Sequence, residues 1–74
     1  MYLHIGEGKV LRDKNIVGIF DLDFATVSVN TRNFLNKAQR EKRVIALGYS
    51  LPKSFIVTTD KTVYLSPLNV QAIK

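Results

Sequence analysis

The chain has 74 residues, 46% of them hydrophobic, and it carries a formal net charge of +5 with a pI near 9.8. This length fits one domain, residues 1–74, and the hydrophobic content excludes a disordered chain. The absence of cysteine excludes disulfides and thiolate metal sites, so a fold this small needs a well-packed core or partner subunits. No apolar run reaches the roughly 18 residues that cross a membrane, and the first residues lack the features of a signal peptide. We therefore expect a cytoplasmic protein that has no membrane partner.

The N-terminal part of the chain predicts three short strands. Residues 2–5 and 9–11 flank Gly6-Glu7-Gly8, and glycines of this kind favour a tight turn between paired strands. After a charged turn at residues 12–15, residues 16–20 are rich in β-branched and aromatic side chains, which is typical of a strand. The connection at residues 21–28 has no clear pattern.

Residues 30–43 carry the one strong helical period of the sequence. Asn30 is a favoured N-cap residue, and Val29 and Phe34 have the spacing of a hydrophobic staple. Lys42 would project toward the apolar side, so we expect the helix to end near it. The predicted apolar face consists of Thr31, Phe34, Leu35 and Ala38, and the opposite arc of Arg32, Lys37, Arg40 and Arg43.

The C-terminal part predicts further strands and a final helical turn. Residues 44–47 form a short apolar run, and residues 55–59 and 62–66 suggest a hairpin around Asp60-Lys61. Ser66 and Pro67 have the order of an N-cap followed by the first helical residue. The prediction is an α+β fold of about five short, mostly antiparallel strands, one central helix and a short C-terminal helical turn.

The predicted strands are apolar on both faces. Phe55 and Val57 would point to one side of the sheet and Ile56 to the other. One helix covers only one face, so the second face must meet another layer. An interface between subunits is the favoured interpretation, and a sheet folded over within one chain is the alternative.

Catalytic chemistry has little support in this sequence. His4 lies in a predicted strand with no nucleophile motif around it, and a structural or surface role fits it better. Asp21 and Asp23 have the spacing of a magnesium-binding pair, but a solvated loop is the simpler interpretation. Tyr49, in a loop beside Lys53, is the aromatic residue best placed to stack on a base. We expect no enzyme activity, no cofactor and no small-molecule substrate.

The basic arc of the predicted helix is the remaining chemical feature. Lysines and arginines along one line can meet successive phosphates of a nucleic acid, which gives affinity without reading sequence. The alternative is an ordinary solvated helix face. Further positive charge lies on predicted loops, at Arg12, Lys14 and Lys53.

The chain resembles the RemA/RemB family of bacterial extracellular-matrix regulators, and is nearer the RemB branch. Four segments in order carry the resemblance: residues 2–6 (YLHIG), 16–21 (IVGIFD), 52–57 (PKSFIV) and 63–68 (VYLSPL). It implies a DNA-binding transcriptional regulator with a fold related to LytTR-type domains and ring-like homo-oligomers around which DNA wraps. The chain departs from the RemA branch where an arginine pair would stand, since it has Leu51 and Pro52, and Asn15 replaces a basic residue before the third strand.

Two hypotheses follow from the charge and the resemblance. The first is an oligomeric DNA-binding regulator of the extracellular-matrix (biofilm) type that contacts phosphates through Lys53, Lys14 and Arg12, with Arg32, Lys37, Arg40 and Arg43 as second contacts. The alternative is an oligomeric adaptor that binds another protein and not DNA.

Overall fold

A computed structural model describes residues 1–25 and 28–73. In this part of the chain the strands are β1 (Tyr2–Gly6), β2 (Lys9–Arg12), β3 (Ile16–Asp21), β4 (Val44–Ala46), β5 (Ser54–Thr58) and β6 (Val63–Ser66). The helices are α1 (Leu22–Ala25), α2 (Val29–Arg40) and α3 (Val70–Ile73), and a 3-10 turn covers Asp13–Asn15. The α+β prediction is confirmed. No helix within the described ranges is long and apolar enough to cross a membrane.

The strands form two sheets. β1 and β2 pair as an antiparallel hairpin, and the other four strands lie in the order β3-β5-β6-β4. β5 pairs antiparallel with both β3 and β6, whereas β4 runs parallel to β6. β5 and β6 are therefore the central strands, and β3 and β4 are the two edges.

Helix α2 covers one face of the four-stranded sheet. Ala38 of the helix is fully buried against Phe55 and Val63, and Leu35 packs beside them. These contacts confirm Leu35 and Ala38 of the predicted apolar face, whereas Phe34, which was predicted on the same face, is 37% exposed. Burial of this kind contributes about 25 cal/mol for each Å² of apolar surface removed from water, and it holds the helix against the sheet.

The second face of the sheet is covered by the same chain. Ile56 and Tyr64 point away from α2 and pack against Ile5 of β1 and Ile73 of α3. The prediction that this face forms a subunit interface is wrong, and the folded-over alternative holds. No local feature of the sequence predicts what the β1–β2 hairpin packs against, and in the structure the hairpin supplies the second layer.

Helix α2 begins earlier than predicted. Its N-cap is Ser28, whose carbonyl oxygen accepts the first helical hydrogen bond, from the Arg32 N–H at 3.1 Å. Asn30 is therefore a helical residue and not the cap, and Val29 is the first residue of the helix instead of the outer half of a staple. Ser28 caps the helix without a side-chain hydrogen bond. Asn30 was predicted as the cap because its side chain can accept such a bond, and that interaction is not used here.

Helix α2 ends in a Schellman motif. The Lys42 N–H donates to the Gln39 carbonyl at 3.1 Å, and the Arg43 N–H donates to the Ala38 carbonyl at 2.9 Å. This geometry requires Lys42 to adopt the left-handed conformation, with φ of 60°. Glycine usually fills this position, because a side chain there costs about 1–2 kcal/mol.

We expect Lys42→Gly to stabilise the fold by about 0.5–1 kcal/mol, because it removes left-handed strain at the end of α2. A gain of that size raises Tm by roughly 2–8 °C in a domain of this length, as measured by circular dichroism. Lys42→Ala is the control, since it removes the same charge and keeps the strain. A Tm that rises equally in both variants would contradict this reason.

The last helix also starts later than predicted. Asn69 is the residue that caps α3, since its Oδ1 accepts the Ala72 N–H at 2.8 Å. Ser66 lies in β6, where its buried hydroxyl donates to the Ile5 carbonyl and accepts the Leu68 N–H at 3.0 Å. Ser66 therefore ties the hairpin to the main sheet and is not a helix cap.

Candidate nucleic-acid interface

Strand order gathers most of the positive charge at one end of the sheet. β3 and β6 begin at this end and β5 finishes there, and the Thr59 N–H after β5 donates to the Asn15 carbonyl before β3 at 2.9 Å. The C-terminus of α2 reaches the same end, because the Arg43 carbonyl accepts the Val63 N–H at 2.9 Å. We call this region the basic end; it contains the cations Arg12, Lys14, Lys37, Arg40, Lys42, Arg43 and Lys61 and the acids Asp13, Glu41 and Asp60.

The opposite end of the sheet, here the loop end, carries both acidic and basic side chains. Glu7 lies beside Gly48 there, and Asp21 and Asp23 follow the last residues of β3. Lys53 belongs to this end, since its carbonyl accepts the Leu22 N–H at 3.0 Å. The net charge of the chain is thus concentrated away from Lys53.

The structure separates the two loop lysines that the sequence analysis grouped. Lys53 precedes β5, whereas Lys14 stands next to Asn15, which bonds the residue after β5. At about 3.3 Å per residue, the five residues of β5 place these lysines roughly 17 Å apart. They belong to different surfaces.

Arg43 is not a helical residue, and its side chain is already engaged. It lies after the end of α2, where Nε donates to Glu41 Oε1 at 2.8 Å and Nη1 donates to the Lys61 carbonyl at 2.6 Å. Its side chain is only 24% exposed. Arg43 therefore anchors the β5–β6 turn to the helix and is less free to meet a phosphate than its neighbours.

The pKa of Glu41 reflects the positive charges around it at the basic end. The hydrogen bond from Arg43 holds the pKa of the Glu41 carboxyl below its ordinary value, with smaller contributions from the charges of Arg43, Lys37 and Lys61. Lys37, Glu41, Arg43 and Lys61 also line one surface groove. An anionic side chain surrounded in this way indicates a positive local potential.

The other predicted contacts divide between the two ends. Lys37 and Arg40 lie in the last turn of α2, whereas Arg32 lies in its first turn. At 1.5 Å per residue, Arg32 stands about 12 Å along the helix from Arg40. Arg12 places its guanidinium 5.7 Å from the centre of the Tyr2 ring, and Lys14 is exposed on the 3-10 turn.

Two cations of the basic end were not among the predicted site residues. Lys42 and Lys61 are exposed, and both adopt positive φ, at 60° and 71°. Lys61 was assigned to a turn without regard to its charge, and Lys42 was expected on the apolar side of the helix. In the turn, the Lys61 N–H donates to the Thr58 carbonyl at 3.0 Å, so Thr59 and Asp60 are the central residues and Lys61 follows them.

The acidic and aromatic candidate residues either have a structural role or lie away from the basic end. Asp21 Oδ1 accepts the Asp23 N–H at 2.9 Å, so this carboxylate caps the start of α1. Tyr64 is buried, whereas Tyr49 is fully exposed on the loop end, away from most of the cations. Within residues 1–25 and 28–73, no group of three or more His, Cys, Asp or Glu side chains is arranged to hold a metal ion.

Asp60 is expected to make the stability of the fold depend on pH. Hydrogen bonds from the Thr58 hydroxyl and the Thr62 N–H lower the pKa of Asp60 below its ordinary value of 3.8. Because the folded state favours the ionised carboxylate, ionised Asp60 stabilises the fold. This contribution to stability is complete above pH 3.8 and is lost as pH falls through the pKa of the folded state.

We expect Asp60→Asn, which keeps the acceptor oxygen and removes the charge, to flatten the decline of Tm below pH 3.8. Thermal unfolding of both proteins from neutral to acidic pH measures this effect. Parallel Tm curves for the two proteins across the acidic range would contradict the assignment.

Comparison with known proteins finds one family over nearly the whole chain. The RemA-like family, described as extracellular matrix regulatory protein A-like, matches residues 2–74. The chain is also 36% identical over 74 residues to the extracellular matrix regulatory protein B of Bacillus subtilis (strain 168), covering 100% of this chain and 86% of that protein.

Proposed function

Because this chain belongs to the RemA-like family of extracellular matrix regulatory proteins, we propose that it is a non-enzymatic, DNA-binding transcriptional regulator of extracellular matrix (biofilm) formation. The name of the Bacillus subtilis relative supports a regulatory role in matrix production. The cytoplasm is the compartment in which a bacterial regulator meets DNA, and we assign the protein to it.

The observation that carries the proposal is the one-sided distribution of charge. Lys37, Arg40, Lys42 and Lys61 are all exposed around the C-terminus of α2 and the adjacent β5–β6 turn. Clustered exposed cations neutralise DNA phosphates and release the counterions condensed on the DNA. This release is the main source of sequence-independent affinity for DNA. We propose these four residues as the principal contacts, with Arg12 and Lys14 beside them and Lys53 and Arg32 outside the main surface.

Self-association is the second part of the proposal. One subunit presents only a few phosphate contacts, whereas several copies in a homo-oligomer, such as a ring, bind one DNA segment with much higher total affinity. Selectivity would then come from the shape and stiffness of the DNA, because a phosphate contact carries no base information.

An adaptor protein that binds another protein is the alternative, and one observation favours it. Leu51 and Tyr49 are exposed on the loop end, and Leu51 and Pro52 stand in the stretch where the resemblance implies an arginine pair in the RemA branch. An apolar loop of this kind suits a protein partner better than a phosphate.

A binding experiment separates the two functions. We expect a fluorescently labelled DNA duplex to bind at low salt, with heparin as an effective competitor, because both polyanions meet the same cations. Light scattering on the same sample gives the assembly state. An assembled protein that ignores DNA at low salt would support the adaptor and contradict our proposal.

A further inference from the structure

An open apolar groove lies between edge strand β3 and helix α2. Leu35 and Ala38 seat the helix on a cluster drawn mainly from β4, β5 and β6, and among the described residues β3 adds none to that cluster. The helix therefore leaves β3 uncovered on this face. The groove has a volume of about 330 Å³, and its apolar lining consists of Val17, Phe20, Phe34, Phe55 and Val57.

A β-bulge turns an additional apolar side chain toward this groove. The register of β3 against β5 shifts between Ile16 and Gly18, so Val17 is the extra residue of the bulge. Bulges re-aim side chains and are common next to active sites. Ile16 packs against the core on the other sheet face, whereas Val17 is 67% exposed and lines the groove.

The glycine of the bulge shapes the wall of the groove. A Cβ at Gly18 would lie 2.6 Å from the Phe20 ring, so a larger residue would push this ring away. With glycine there, the ring lies back over β3 and stacks on Phe55, with ring centroids 5.0 Å apart. Two aromatic rings therefore form one continuous apolar surface.

The apolar groove continues into the groove at the basic end, here the cationic groove. Val17, Phe34 and Val57 line both of them, so together they form one open channel along α2. The cationic groove has a volume of about 560 Å³ and is also lined by Lys37 and Lys61. One end of the channel is thus apolar and the other carries positive charge.

Two ammonium groups in the cationic groove are available to a ligand. Arg43 and Glu41 also line it, but a hydrogen bond of 2.8 Å joins them and their charges offset each other. Among the described residues, Lys37 and Lys61 take part in no salt bridge. Asp60 is held by hydrogen bonds within its own turn and lines a different depression.

The composition of the channel indicates the chemistry of its ligand. Polar side chains in the apolar groove come only from Asn30 and Thr31 among the described residues, so a strongly polar ligand would lose hydrogen bonds to water there. An acyl chain loses none, and a terminal carboxylate would form charge-assisted hydrogen bonds with ammonium groups. The volume of the apolar groove lies near the lower end of the roughly 300–1,000 Å³ of ligand pockets, which suits a chain of medium length.

We propose that this channel binds a free medium-chain fatty acid. The acyl chain lies on Val17, Phe20 and Phe34, and the carboxylate lies beside Lys37 and Lys61. Binding of the fatty acid does not depend on the proposed function, but one consequence does. Lys37 and Lys61 are two of the four cations assigned to DNA phosphates, so the fatty acid and DNA would compete for them.

Equilibrium dialysis with radiolabelled decanoate, below its micelle concentration and without DNA, tests the apolar part of the site. Val17→Asp is expected to raise the decanoate Kd about 10-fold or more, because it places an unpaired carboxylate beside the acyl chain. Ile45→Asp introduces the same group at an exposed apolar residue of the opposite edge, β4, and is expected to leave Kd unchanged. Far-UV circular dichroism checks that both variants are folded.

A comparison of decanoate with decanol tests the position of the carboxylate, since decanol has the same chain length and no charge. Lys37→Gln/Lys61→Gln is expected to raise the decanoate Kd about 5- to 50-fold at low salt and to change the decanol Kd by less than about 2-fold. Arg32→Gln/Lys53→Gln removes the same charge away from the channel and is expected to change both values by less than about 3-fold. Equal losses for decanoate and decanol in the first variant would overturn the placement of the carboxylate.

Three results would overturn the fatty-acid site. The first is a wild-type protein that takes up no decanoate, and the second is a Val17→Asp variant that binds decanoate like wild type. The third is a protein that excludes decanoate and whose Val17→Asp variant sediments more slowly than Ile45→Asp, which would assign the groove to a neighbouring protein chain.

A competition experiment separates this site from the proposed function. Decanoate is expected to displace a labelled duplex from Ile45→Asp but not from Val17→Asp, although both variants have the same net charge. Decanoate binding by a protein with no DNA affinity would contradict the proposed function and leave the fatty-acid site standing. DNA binding by a protein that takes up no decanoate would do the reverse.

Discussion

Reversing two charges at the basic end, as Lys37→Glu/Lys61→Glu, is expected to weaken DNA binding about 30- to 300-fold at low salt. Both side chains flank Glu41 and line one groove, so they face the same region of solvent. The double variant loses two phosphate contacts and introduces two repulsions. Fluorescence anisotropy with a labelled duplex measures the change, and the slope of log affinity against log salt should become shallower by roughly 2.

A second double variant controls for the loss of net charge. Arg32→Glu/Lys53→Glu removes the same total charge from residues that lie away from the basic end. We expect it to weaken binding by less than about 10-fold, through the long-range field alone. A larger loss from this variant than from Lys37→Glu/Lys61→Glu would move the DNA site to the loop end.

Truncating the central core residue, as Ile56→Ala, is expected to destabilise the fold by about 2–5 kcal/mol. Ile56 is fully buried on β5, between β3 and β6, and packs with Ile5, Tyr64 and Ile73. At roughly 0.05–0.15 kcal/mol per residue, a chain of this length has only about 4–11 kcal/mol of stability. The variant should therefore unfold at much lower temperature or urea concentration, or fail to fold.

Two milder variants test whether burial is the reason. Ile56→Val should cost about 0.5–1.5 kcal/mol, since it removes one methylene from the same place. Ile45→Ala, at an exposed edge residue, should cost less than Ile56→Ala. Equal losses in Ile45→Ala and Ile56→Ala, measured by urea unfolding, would contradict the two-layer core described here.

The sequence predicted the strands well, because alternation and β-branched residues are local signals. The segments predicted around Ile5, Phe20 and Phe55 all appear as strands, and the helix over Thr31, Leu35 and Ala38 faces the sheet as its period indicates. The relation to LytTR-type domains stays a prediction.

The incorrect predictions concern features that are determined by contacts between residues distant in sequence. Ser28 caps α2 through its backbone, and Ser66 uses its hydroxyl to join Ile5 across the molecule, so the local capping rules chose Asn30 and Ser66 wrongly as helix caps. The second sheet face was assigned to another subunit because nothing local shows where the β1–β2 hairpin folds.

The sequence predicted positive charge on the helix and loops, but not which of these charges lie together in the fold. Net charge indicated an anionic partner, and Lys37 and Arg40 were identified from the helical period alone. Grouping them with Lys61, and apart from Lys53, requires the strand order, which brings together turns that are distant in sequence. Residues contributed by separate turns give no periodic signal.

The salt dependence of DNA binding tests the central claim most directly. If Lys37, Arg40, Lys42 and Lys61 each neutralise one phosphate, the log of the association constant should fall against log salt with a slope near about −3.6 for each bound subunit. A slope near zero, with binding that persists at high salt, would contradict phosphate contact as the main source of affinity.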